Sequence, residues 1–158
     1  MKLDHTVSSI GALSLDVAQN LKRVGFASVV NLRLSSELGV DIADQAAIVI
    51  EAGMNFVHIP FSAQSPDPRA ADRFLEAVAK PVNQPAFIHC RSGNRAAALW
   101  CIRRVLVDGC DCDTAMEEAA QLGLVSSTLR SFVLAYLEPH NGVRSDECNR
   151  RCRSLASR

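Results

Sequence analysis

Pro85-Ala-Phe-Ile-His-Cys-Arg-Ser-Gly-Asn-Arg-Ala96 decides the fold. Its first five residues, through His89, read as a short apolar strand bounded by proline. The chain then turns through a glycine, and a helix starts close to Arg95, carrying Leu99, Ile102 and Leu106 on one core-facing stripe. Gly109 ends that helix.

Working back from this stretch, Asn55 to Phe61 is a strand and Ser28 to Arg33 another, rich in β-branched residues. The spacing predicts helices over 15–24, with Ser14 as N-cap and Gly25 as stop, and over 42–52, ending at Gly53. A third helix starts near Pro68, with Asp67 as N-cap. Beyond the loop only helices follow, over 114–122 capped by Asp113 and over 127–138 capped by Ser126 or Ser127. Strands separated by helices imply crossovers and a buried sheet. The fold class is therefore α/β, a central mostly parallel sheet flanked by helices with a helical C-terminal layer.

The chain has 158 residues, 48% of them apolar, enough for one domain that buries roughly two-thirds of its unfolded surface. We read 1–138 as a single catalytic domain and 139–158 as a flexible tail, with five Arg against Asp146 and Glu147. Seventeen basic and 17 acidic residues cancel, so no global field draws nucleic acid or an anionic membrane. No apolar stretch approaches the ~20 residues of a membrane span. The opening Met-Lys-Leu-Asp-His-Thr has no apolar h-region, so a cytoplasmic protein with reduced thiols is expected.

The loop carries the chemistry. A strand, a Cys, a tight Gly turn and a helix start aim successive backbone N–H groups at one point and make an anion nest. The helix N-terminus adds roughly half a positive charge, which favours a thiolate at Cys90. Arg95 closes the ring with a planar fork suited to oxyanions. Cys90 and Arg95 are thus the catalytic candidates, and Arg91, Ser92, Gly93, Asn94 and Ala96 complete the anion-binding loop. His89 either orients the loop or is a satisfied core histidine.

His89-Cys-x-x-Gly93 with Arg95 at a helix start resembles the cysteine-dependent phosphatases, especially the dual-specificity fold. With Val29-Val-Asn-Leu-Arg33, Glu37 and Phe56-Val-His-Ile-Pro-Phe61, the likeness extends over about residues 5–137. It is greatest to the phosphatase-like domain of β-lactamase-hydrolase-like proteins, some of whose relatives are fused to sulfide-oxidising enzymes. That resemblance implies a phosphatase-like sandwich and hydrolysis through a phosphocysteine.

Three departures point elsewhere. Phosphatases of this kind place five residues between Cys and Arg, whereas only four separate Cys90 from Arg95, as in single-domain rhodaneses. The leaving-group acid expected after Phe61 is replaced by Ser62 and Ala63. Asp67 is the nearby substitute, and its Asp-Pro context favours helix capping. The residue after Arg95 is Ala96 instead of a hydroxyl residue. Together these favour a rhodanese-like sulfurtransferase that carries sulfur as a Cys90 persulfide. The alternative is a phosphatase of the tyrosine or dual-specificity kind. The expected partner is a small anionic sulfur donor or a phosphoester, with a sulfide-oxidising enzyme as a further partner.

Arg33 either lines the pocket or pairs with Glu37, and the pair is favoured. Arg91 is expected to point outward to receive an anionic substrate. Cys101 and Trp100 read as core. Cys110-x-Cys112 and Cys148-x-x-x-Cys152 lack zinc-finger spacing, so no metal and no cofactor is expected. A tail thiol at Cys148 or Cys152 is a candidate relay for Cys90.

Overall fold

The computed structural model describes residues 5–8 and 13–141. Four strands form one wholly parallel sheet: β1 (His5–Ser8), β2 (Ser28–Asn31), β3 (Asn55–His58) and β4 (Ala86–His89), in the order β1-β4-β2-β3. The helices are α1 (Leu15–Arg23), α2 (Ile42–Glu51), α3 (Pro68–Ala79), α4 (Asn94–Leu106), α5 (Cys112–Gln121) and α6 (Ser127–Asn141). A single 3-10 turn, Pro81–Asn83, precedes β4.

Period-two alternation sorts the strand side chains between two cores. Val29 and Phe87 face Ala18, Leu21 and Val49 of α1 and α2. Val30 and Ile88 face the larger core of α3 to α6, with Phe74, Leu99, Ile102, Ala119 and Leu129. A parallel strand buried on both faces needs apolar residues in both directions, which is what the Val29-Val30 and Phe87-Ile88 pairs supply.

Side-chain caps fix the helix starts, each contributing about 1 kcal/mol. Ser14 accepts from the Val17 N–H, Asp41 from Asp44 and Asp67 from Arg69. For α5 the cap is Asp111, which accepts from Thr114, and not the expected Asp113; the helix opens two residues early, at Cys112. Ser126 caps α6 by accepting from Leu129. That helix runs through Pro139 to Asn141. The predicted tail thiols Cys148 and Cys152 lie outside the described residues.

The expected single stripe on α4 is too narrow. Arg95 through Arg103 are all buried, because α4 lies between the sheet and the α3, α5 and α6 helices. Ala96, Ala97 and Ala98 let these neighbours approach closely. Trp100 and Cys101 are buried as expected, with the Arg103 guanidinium 5.3 Å from the Trp100 ring centre. Among the described residues no helix is long and apolar enough to cross a membrane.

Candidate active site

In register, Asn31, His58 and His89 stand side by side at the ends of β2, β3 and β4. Loops therefore gather at the C-terminal edge of the sheet, where open α/β sheets place their ligands. The backbone ladder continues past the strand ends. The Leu32 N–H donates to the His89 carbonyl at 2.8 Å, and the Phe61 N–H donates to the Leu32 carbonyl at 3.2 Å.

Cys90 follows β4 directly and is buried. Gly93 turns the chain with φ 85°, a left-handed conformation that glycine takes without strain. Its N–H donates to Cys90 Sγ at 3.2 Å. Helix α4 opens at Asn94, one residue before the expected start, and its first internal bond runs from the Ala97 N–H to the Gly93 carbonyl at 2.8 Å. The amides of Asn94, Arg95 and Ala96 thus have no acceptor within the helix. The Gly93 amide meets the sulfur directly, at the start of the helix that carries these three amides.

Arg95 is held from one corner. Its Nη1 donates to Glu37 Oε1 at 2.6 Å, to the Phe61 carbonyl at 3.1 Å and to the Leu32 carbonyl at 3.2 Å. Glu37 also accepts from Arg33 Nε at 3.0 Å and from the Leu34 N–H at 2.8 Å. Burial would raise the Glu37 carboxyl, but the hydrogen bonds from Arg95, Leu34 and Arg33 outweigh it and hold it at about 2. Arg33 thus sits in the structural pair with Glu37, and its N–H donates to Asn31 Oδ1 at 2.8 Å. Asn31 in turn donates its Nδ2 to Gln45 Oε1.

His89 is fully buried, and among the described residues neither ring nitrogen has a hydrogen-bond partner. Burial first, then the charges of Arg33 and Arg95, push its imidazole down to about 4, so it is neutral near pH 7. The Asn94 side chain is spent elsewhere: its Oδ1 accepts from the N–H groups of Val125 and Ser126 at 2.8 and 3.0 Å. This ties the loop to the α5–α6 turn. Gly123 of that turn lies so close that a β-carbon on it would sit 3.6 Å from the Ser92 carbonyl oxygen. Arg91 and Ser92 are exposed, and Ala96 is buried under the loop.

Asp67 is bound up at the start of α3. Its Oδ1 accepts from the Arg69 N–H at 2.9 Å, and its Oδ2 pairs with Arg69 Nη2 at 2.9 Å. The Arg69 side-chain bond lowers its carboxyl below the ordinary range. Among the described residues no group of three His, Cys, Asp or Glu is placed to hold a metal ion.

Residues 4–107 match the model of the phosphatase-like domain of beta-lactamase hydrolase-like proteins. The chain belongs to that family. No curated protein matches it by sequence. Among solved structures it is similar to Tk-PTP, at 20% identity and TM-score 0.72, over 87% of this chain and 93% of that one. A DUF442 protein of Shewanella putrefaciens CN-32 aligns at 20% identity and TM-score 0.71, over 86% and 85% of the two chains. The core catalytic domain of the PP-IP phosphatase SIW14 of S. cerevisiae aligns at 18% and 0.64, over 87% and 85%. These likenesses show the phosphatase-like α/β fold.

They also overturn the sulfurtransferase expectation, and they lend no support to the expected sulfur donor or sulfide-oxidising partner. The matching family and these solved relatives are phosphatase-like, and nothing points to a rhodanese. The physical reason lies in the helix start. Counting residues between Cys90 and Arg95 understates the donors, because α4 already begins at Asn94 and its three first-turn amides have no acceptor within the helix. A loop short in sequence is not short of N–H groups.

Proposed function

We propose that the chain is a cysteine-dependent phosphatase acting on a phosphate monoester or anhydride through a phosphocysteine on Cys90. One observation carries this reading: the Gly93 amide points at Cys90 Sγ at the mouth of a 13-residue helix, with the Arg95 guanidinium anchored beside it. A helix N-terminus and a nest of amides bind a dianionic phosphoryl group, and the same field keeps the attacking sulfur as thiolate.

In this assignment Cys90 attacks phosphorus and takes the phosphoryl group. The amides of residues 91–96 bind its equatorial oxygens, and the Nε–Nη2 edge of Arg95, which none of its protein bonds uses, supplies a fork to two of them. Arg91, exposed at the rim, meets the rest of an anionic substrate. Arg33 and Glu37 are positioning residues, and His89 packs under the loop as a neutral ring. The catalytic unit closes with α6 at Asn141, three residues beyond the expected boundary at 138.

Replacing Arg95 tests the fork. Arg95→Lys keeps the charge but loses the paired donors, so aryl-phosphate kcat/KM is expected to fall by about 10²-fold or more. Steady-state kinetics on 4-nitrophenyl phosphate reads the effect, and a lysine variant with unchanged kcat/KM removes Arg95 from the site.

A further inference from the structure

The segments that frame Cys90 and Arg95 are few. The Leu32 carbonyl, the Phe61 carbonyl and Glu37 touch Arg95, and Asn94 reaches the α5–α6 turn. The residues that follow Phe61 are Ser62, Ala63, Gln64 and Ser65, none of which holds a titratable proton. Ser62 closes a local turn here, its Oγ accepting from the Ser65 N–H at 3.1 Å.

Beside β2, Glu37 is ionised and saturated by Arg95, Arg33 and the Leu34 N–H. The α5–α6 turn, Gly123 to Ser126, has no ionisable side chain. Among the described residues the remaining charged or titratable groups around the loop are Arg33, Arg91, His58 and His89; the arginines stay protonated, His58 Nε2 is taken up by the Arg33 carbonyl at 2.8 Å, and the buried His89 imidazole is neutral. Asp67 is held by Arg69 through both oxygens while capping α3.

Resting on the phosphatase reading, we infer that the described site expels its leaving group without a resident general acid, and that its substrates carry phosphate on an oxygen already stable as an anion near pH 7. Two sources share that chemistry, an acidic phenol and the phosphate of an anhydride. In the first step Cys90 Sγ⁻ forms the S–P bond as the P–O bond breaks, and the leaving oxygen keeps the electron pair and departs as its anion. In the second, water forms a new P–O bond, sulfur recovers the S–P electron pair as thiolate, and the water proton passes to solvent with release of inorganic phosphate. An unassisted alkoxide is a poor leaving group, and an absent acid forfeits about 10²–10⁴-fold on such substrates.

The test measures kcat/KM for aryl phosphates of graded phenol acidity, for inorganic pyrophosphate and for glycerol phosphate, with wild type and Asp67→Asn. Asparagine also caps helices, so α3 is preserved. The expected result is a steep fall of at least about 10²-fold from 4-nitrophenyl phosphate to glycerol phosphate. Asp67→Asn is expected to change no substrate, and the pH profile to lack the alkaline decline that a deprotonating acid produces. The pyrophosphate arm then tells whether the anhydride or the aryl ester is the better source. A flat series, or one that Asp67→Asn steepens, overturns this inference while leaving the phosphatase reading intact. Absence of turnover on every substrate together with no phosphoryl adduct on Cys90 overturns both.

Discussion

Cys90→Ser is expected to lower aryl-phosphate turnover by about 10⁴-fold or more and to leave the fold in place. The size of the effect follows from the site: the sulfur takes the Gly93 amide and sits at the start of α4, on which Arg95 is the second residue. A serine hydroxyl occupies nearly the same volume but stays protonated near pH 7. It lacks a neighbouring base, since Glu37 is bound to two arginines and the buried imidazole of His89 has been pushed down to about 4. Removal of a nucleophile with nothing to replace it is among the largest single losses in enzymes. Serine at position 90 keeps the N–H nest, so inorganic phosphate still binds. Steady-state rates on 4-nitrophenyl phosphate, set beside thermal unfolding of the same samples, separate lost chemistry from a lost fold. Retained turnover in the serine variant rules out Cys90 as nucleophile.

The second large effect falls on Glu37→Ala. This change strands the guanidinium groups of Arg33 and Arg95, both buried, with no carboxylate between them. Removing one partner of a buried ion pair costs about 3–5 kcal/mol, most of it the desolvated charge left behind. The Leu34 N–H loses its acceptor too. Denaturant unfolding is expected to show that loss, together with a weakened kcat/KM from a mobile Arg95. The pH dependence has a definite sign. The Glu37 carboxyl falls from 4.5 to about 2 on folding, so its stabilisation is complete above about 4.5 and is lost as the pH drops through that window toward 2. Wild type should therefore lose stability between these limits more steeply than Glu37→Ala. Superimposable acid-unfolding curves for the two proteins contradict this role.

Much of this arrangement is legible in the sequence, for identifiable reasons. The β-branched runs of β2 and the apolar run of β4 leave little choice but buried strands, and Ser14, Asp67 and the glycines punctuate the helices. Cys90, Gly93 and Arg95 are a local device whose parts lie within six residues, so spacing alone brings them together. Strand ends are less visible. Leu32 and Ile59 to Phe61 still make backbone bonds to neighbouring strands beyond the regular ladder, which is why their extended character reads as strand. β1 is a four-residue edge strand, His-Thr-Val-Ser, with one aliphatic residue, too little pattern to register.

Long-range ties are the part that sequence hides. Glu37 is visible as a local partner for Arg33 four residues away, but its bond to Arg95 spans 58 positions and depends on β2 lying beside β4. Asn94 reads as a loop donor, yet its side chain crosses 31 positions to Val125. Gly123, whose closeness to Ser92 depends on how α5 and α6 dock, carries no local signal beyond ending a helix. Cys101 illustrates the opposite case. Burial pushes its thiol up to about 12, so a cysteine on the helix that leads from the active loop is inert core, as its place on the α4 pattern suggests.

The most direct measurement is an acid quench of the protein during 4-nitrophenyl phosphate turnover, followed by peptide mass spectrometry. The expected spectrum shows the mass of one phosphoryl group on the peptide containing Cys90 in wild type and none in Cys90→Ser. Turnover with no adduct on Cys90, or with the adduct on another residue, contradicts a phosphocysteine mechanism.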